Sequence, residues 1–162
     1  REGCYTCHSQ MIRPFRSETE RYGEYSKAGE FVYDHPFQWG SKRTGPDLAR
    51  EGTGNLKKSN AWHFNHMDEP SAISTGSVMP SYSFLIDNSL DTSTTATKIN
   101  AMRTLGVPYA IDFAEKANQD LMKQASTITA DLKKEGIEVA PTKEIVALIA
   151  YLQRLGTDIN KK

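Results

Sequence analysis

Beyond Cys4 and Cys7 the 162-residue chain has no cysteine, so no disulfide framework is available to it except by consuming that one pair. It has no excess of charge: Lys plus Arg and Asp plus Glu each total 20, which removes any bulk reason to expect a nucleic-acid binder. No apolar run approaches the roughly 18 residues that a spanning helix needs, and no signal-peptide pattern opens the chain, so the segment as given reads as soluble. Internal repeats are absent as well. What remains is a length suited to a single domain, residues 1–162, with a modest core. The distinctive chemistry sits at one end, in Arg1-Glu2-Gly3-Cys4-Tyr5-Thr6-Cys7-His8. Because the first residue is Arg and the motif follows so closely, an upstream piece is expected, a signal or membrane anchor plus a first helix.

Cys4-x-x-Cys7-His8 admits three readings. In a c-type haem attachment, both thiols add to the porphyrin vinyl groups and the adjacent imidazole turns onto the iron. A structural zinc site needs four ligands, and only His35, His63 and His66 are left to complete one, without a second Cys pair. A redox dithiol calls for a preceding strand and a thioredoxin-like alternation of elements, which the pattern does not show. The haem reading makes the best use of the rest of the chain. With one such motif, one covalent haem is expected.

Residues 9–60 are punctuated by Gly23, Gly29, Pro36, Gly40, Gly45 and Pro46 too closely for long elements, and Tyr22, Tyr25, Phe31, Tyr33, Phe37 and Trp39 supply the apolar bulk. Loops that wrap a flat cofactor are expected there. A short helix is predicted over Asn60 to Glu69, capped by Asn60 and ended by Pro70. Three helical patterns follow: Thr92 to Leu105 before Gly106, Ile111 to Lys134 before Gly136, and Lys143 to Leu155 before Gly156. The last carries Ile145, Leu148, Ile149, Leu152 and Leu155 on one face.

If His8 holds one side of an iron, the other side takes Met, His or nothing, and that choice decides between electron transfer and small-ligand chemistry. Met11 is expected within one helical turn of His8, tied to the same haem face. Met67, Met102 and Met122 lie in helical patterns and read as core filler. Met79 stands in an irregular stretch before Pro80 and is the predicted second ligand. The rival is His63 or His66, though two histidines three apart on a polar helix are expected at the surface. Thr44-Gly45-Pro46-Asp47-Leu48 is a turn that can present the Pro46 carbonyl to the second N–H of His8.

Together these segments resemble a class I cytochrome c, a mostly helical domain around one covalent haem. CHSQMIRPFRSETERYG, GEFVYDHPFQWGSKRTGPDLAR, VMPSY, RTLGVPY and ALIAYLQRLG further resemble the mono-haem cytochrome c subunit of cbb3-type haem-copper oxidases. The resemblance implies haem c on Cys4 and Cys7, His8 and Met79 as iron ligands, and the Pro46 carbonyl behind His8. It also implies an electron-transfer subunit that is not an enzyme on its own, with the catalytic haem-copper subunit and a di-haem cytochrome c subunit as partners. Its location would be the periplasmic face of the bacterial inner membrane, through an N-terminal anchor. Residues 92–140 would be an added helical segment before the C-terminal helix. The helix that usually precedes the haem motif is reduced here to Arg1-Glu2-Gly3, so the apolar face of 145–155 is expected to lack its usual partner. Trp39 and Arg43 are the candidate partners of a haem propionate, with Arg13 and Arg16 as alternatives that would instead meet acidic groups on the catalytic subunit.

Overall fold

A computed structural model describes residues 2–37, 43–53 and 56–160. Among these the chain is mostly helical, with seven α-helices and no strand: α1 (Arg16–Tyr22), α2 (Asn60–Asp68), α3 (Pro70–Ile73), α4 (Phe84–Asp87), α5 (Thr95–Thr104), α6 (Phe113–Lys134) and α7 (Glu144–Arg154). Short 3-10 turns form at Cys4–Thr6, Ala28–Phe31 and Asp158–Asn160. Among the described residues no helix is long and apolar enough to cross a membrane. The chain divides into two compact units, one of residues 1–58 and 152–162 and one of residues 59–151.

The first unit is loop-rich and is held by buried polar contacts as much as by its small core of Ile12, Phe31, Ala49, Leu152 and Leu155. Arg50 grips Glu30 with two nitrogens, Nη2 to Oε1 at 2.7 Å and Nε to Oε2 at 3.2 Å, and spends Nη1 on the Glu24 carbonyl at 2.7 Å. Its own N–H donates to the Leu155 carbonyl at 2.9 Å, which docks residue 50 beside the end of α7. A planar guanidinium supplies this many donors in a fixed fork, so one side chain ties three segments. The Asp158 carboxylate, almost fully buried, accepts the Tyr33 N–H at 3.3 Å.

Helix α1 lies where loops were expected to dominate. Its signals are local: Glu18 in the first turn and Arg21 in the last complement the helix dipole, and Gly23 stops it. Between His8 and α1 the chain is not helical, so Met11 is not one helical turn from His8; its N–H is instead taken by the Ser9 hydroxyl at 3.2 Å.

In the second unit, α2 begins at Asn60 as expected and ends at Asp68, one residue short of the expected Glu69. Ser59, not Asn60, is the cap, its hydroxyl accepting the Trp62 N–H at 3.0 Å. The Asn60 amide donates instead to Asp131 of α6 at 2.9 Å. Pro70 does not merely end α2; it opens α3, where its missing N–H costs nothing. Helices α5 and α6 stop by the same device. Gly106 and Gly136 take φ of +90° and +80°, and the next residue's N–H returns to the carbonyl five back, Val107 to Met102 and Ile137 to Leu132, each at 3.1 Å.

Along α6, Ala117, Ala125, Ile128 and Leu132 are buried at helical spacing, whereas Met122 is 39 % exposed, one step off that face, and is not core filler. The start of α7 is tied to residues 87–90 through Leu90 N–H to Thr142 O, Glu144 N–H to Asn88 O, and Lys143 Nζ to Asp87 O. Ile145, Val146, Ile149, Leu152 and Leu155 are at most 3 % exposed. The face expected to lack its usual helical partner is thus buried among the described residues.

Candidate functional site

Cys4–Thr6 forms a 3-10 turn that starts at Gly3, with Thr6 N–H to Gly3 O at 2.9 Å and Cys7 N–H to Cys4 O at 3.1 Å. In a 3-10 turn residues i and i+3 eclipse, so positions 4 and 7 fall on one face. His8 N–H also donates to Cys4 O, at 2.8 Å, closing an α-type turn and carrying the imidazole just past the second thiol. Neither cysteine forms a disulfide; Cys7 is exposed and Cys4 half-buried, and burial pushes the Cys4 thiol above its ordinary value.

His8 Nδ1 lies 2.7 Å from the Pro46 carbonyl oxygen. A carbonyl only accepts, so Nδ1 carries the proton and Nε2 is left with its lone pair outward. Two backbone bonds lay the 44–48 loop along the motif, Gly45 N–H to Cys7 O at 3.0 Å and Leu48 N–H to Ser9 O at 2.9 Å. Gly45 sits directly against the ring: a Cβ built there would lie 2.2 Å from His8 Cε1. Two thiols on one face, followed by an imidazole whose tautomer is fixed for coordination through Nε2, fit a covalently attached haem and its proximal ligand.

The family model for the cytochrome c oxidase mono-haem subunit, FixO, matches residues 1–159. The chain belongs to that family. A search of curated proteins finds no match to it.

In this mono-haem subunit the loop behind His8 is backed by a four-charge cluster that the sequence did not announce. Arg43 Nε donates to Asp47 Oδ1 at 2.8 Å, Nη1 to Glu18 Oε1 at 2.8 Å and Nη2 to the Met11 carbonyl at 3.2 Å. Glu18 also receives Arg13, through Nε at 2.8 Å and through the Arg13 backbone N–H at 3.0 Å. Glu18 and Asp47 are both buried. Burial, the largest influence, pushes Asp47 up to about 6, opposed by its hydrogen bond with Ser9 and by the charges of Arg13 and Arg21. The spacing Arg43-x-x-x-Asp47 and the acidic turn of α1 were the only available signals. Arg13 lies over the Phe15 ring at 5.0 Å, and Arg16 is paired to Glu20 at the surface. Trp39 lies outside the described residues.

Met79, in the second unit, lies in a non-helical segment and is half-exposed. Its N–H is held by Ser77 Oγ at 3.2 Å, and the segment is fastened to the end of α2 by Tyr82 N–H to Met67 O at 2.7 Å and Ser81 Oγ to Asp68 O at 2.6 Å. On α2 itself, Met67 is buried as expected of core filler. The surface reading of its histidines fails: His63 is wholly buried, and His66 stacks on Trp62 with ring centroids 4.5 Å apart. Helical spacing puts residue 63 on the face of Met67, which the polar composition of α2 concealed.

Proposed function

We propose that this chain is the electron-transfer subunit of a cbb3-type haem-copper oxidase, holding one haem c on Cys4 and Cys7 with His8 and Met79 as its axial ligands. When bound, the haem supplies a one-electron redox centre. The chain's own residues do the rest. The Cys4–Cys7 turn anchors, and the Pro46 carbonyl fixes the tautomer of His8 and increases its basicity. With haem bound, the Met79 thioether would be the second ligand and would keep oxygen and peroxide off the iron, so the subunit would pass electrons and make or break no substrate bond. Trp39 is the proposed propionate partner. Arg43, also proposed at first for that role, has its guanidinium engaged by Glu18, Asp47 and the Met11 carbonyl. The immediate partners on this reading are the catalytic haem-copper subunit, which receives the electrons, and a di-haem cytochrome c subunit. The domain faces the periplasm, held to the bacterial inner membrane by an N-terminal anchor.

The observation that carries the reading is the 2.7 Å contact between His8 Nδ1 and Pro46 O, which leaves Nε2 as the only ligating nitrogen. It is tested on protein matured in a host competent for cytochrome c assembly, by intact mass and a pyridine haemochrome spectrum. One haem per chain, lost together in Cys4→Ser with Cys7→Ser, is expected; a mature protein with the bare polypeptide mass refutes it. Carbon monoxide added to the reduced protein should leave the Soret band in place, and should shift it in Met79→Ala. A shift in the unsubstituted protein would favour an open-site sensor over an electron carrier.

A further inference from the structure

We propose that Arg43 is a positioning residue for His8: it clamps the Pro46 loop to the chain segment that carries the imidazole. The inference rests on the haem reading above and adds to it a residue that acts through another. The loop from Arg43 to Leu48 lies along residues 7–11, fastened by Gly45 N–H to Cys7 O at 3.0 Å and Leu48 N–H to Ser9 O at 2.9 Å. Those two bonds flank the Pro46 carbonyl but reach no farther than Ser9. Arg43 extends the clamp. Its Nε grips Asp47, the residue after Pro46, at 2.8 Å; its Nη2 reaches the Met11 carbonyl at 3.2 Å; and its Nη1 reaches Glu18 at 2.8 Å.

Three acceptors in three directions match the planar fork of a guanidinium and no other side chain. Lysine keeps the charge at one point and cannot meet all three. The clamp is also dry: the Arg43 side chain is 16 % exposed, and those of Glu18 and Asp47 are 10 % and 0 % exposed. Glu18 keeps Arg13 as a second partner, whereas buried Asp47 has its ion pair from Arg43, so loosening the clamp exposes Asp47 to the cost of a buried carboxylate without that partner. Pro46 lacks an N–H, so the direction of its carbonyl is set by its neighbours in the loop, Gly45 and Asp47, and both are tied down. With the clamp loosened, the carbonyl is free to rock and the His8 Nδ1 proton is released to solvent.

The test compares the mature holoprotein with R43K, D47N and, as a surface control, K134Q, whose parent side chain is 77 % exposed. Haem content is measured first. Proton NMR of the reduced protein then follows exchange of the His8 Nδ1 proton with solvent, and a redox titration gives the midpoint potential. R43K is expected to exchange that proton about tenfold faster, the size of one lost hydrogen bond. Its potential should move upward, because a less basic imidazole stabilises the ferric iron less. K134Q should move neither. A role in folding alone would lower the melting temperature and leave both readouts where they were, and that result overturns the assignment. Should R43K fail to mature, D47N decides the matter by the exchange rate, since it removes the charge that holds Arg43 next to Pro46 with little change of shape. Loss of covalent haem in the unsubstituted protein would sink the haem reading itself; haem retained with both readouts unmoved sinks only the role of Arg43.

Discussion

Replacing Gly45 with alanine tests the His8 geometry through a single methyl group. The new Cβ would sit 2.2 Å from His8 Cε1 and 2.7 Å from each ring nitrogen, against an ordinary contact beginning near 3.4 Å. The ring must therefore retreat by about 1.2 Å, or the loop must lift by as much. Either motion stretches the 2.7 Å contact between His8 Nδ1 and Pro46 O beyond hydrogen-bonding distance. Overpacking of this kind costs about 1–3 kcal/mol, and a lost hydrogen bond adds about 1 kcal/mol. His8 is only half-buried, so rotation of the ring is the easier escape, and the fold should survive with a misplaced ligand. G45A is thus expected to mature with haem, to lower the urea-denaturation free energy by about 2–4 kcal/mol, and to raise the exchange rate of the His8 Nδ1 proton. A G45A protein with unchanged stability and an unchanged Nδ1 resonance would refute the idea that the imidazole is wedged between Gly45 and Pro46.

Gly52→Ala should be the more damaging alanine, because its Cβ would lie 2.0 Å from the carbonyl oxygen of Gln153, a backbone atom near the end of α7 that cannot rotate aside. A loss of about 3 kcal/mol or more is expected in urea titrations, and a change within about 0.5 kcal/mol would contradict the close approach. Glu51 gives a pH test. Burial pushes its carboxyl up to about 7, with Lys58 pulling weakly the other way. The folded state therefore holds the proton more tightly than the unfolded chain. Its favourable contribution is complete below the ordinary carboxylate range and is lost as pH rises through about 7, a swing of up to about 3 kcal/mol. Denaturation midpoints of the natural sequence should fall between pH 5 and pH 8 more steeply than those of E51Q; parallel profiles would show that Glu51 is not the cause.

The helices α5, α6 and α7 were legible in the sequence because apolar periodicity and a following glycine act locally, and the ends moved by only a few residues. The contact of His8 with the Pro46 carbonyl was legible for a different reason, since a Gly-Pro turn exposes a carbonyl in a limited set of directions. The cluster of Arg13, Glu18, Arg43 and Asp47 was not legible. Each member looks like a surface charge in one dimension, and only the close approach of 8–18 to 43–48 brings them together, with Glu18 and Asp47 buried. The same holds for His63, whose neighbours along α2 are polar while its face of the helix is not. The α1 helix was hidden by the expectation of loops, although Glu18, Arg21 and Gly23 carried its end signals.

The two thiols and the imidazole are consecutive in the chain, but the oxygen that selects the imidazole tautomer comes from a residue 38 positions later. On the haem reading, a nascent segment ending before Thr44 would already hold both thiols and the imidazole, with nothing to tell one ring nitrogen from the other. Attachment chemistry and ligand orientation would then be separable in time: the first is encoded within a single turn, and the second waits until the distant loop has docked.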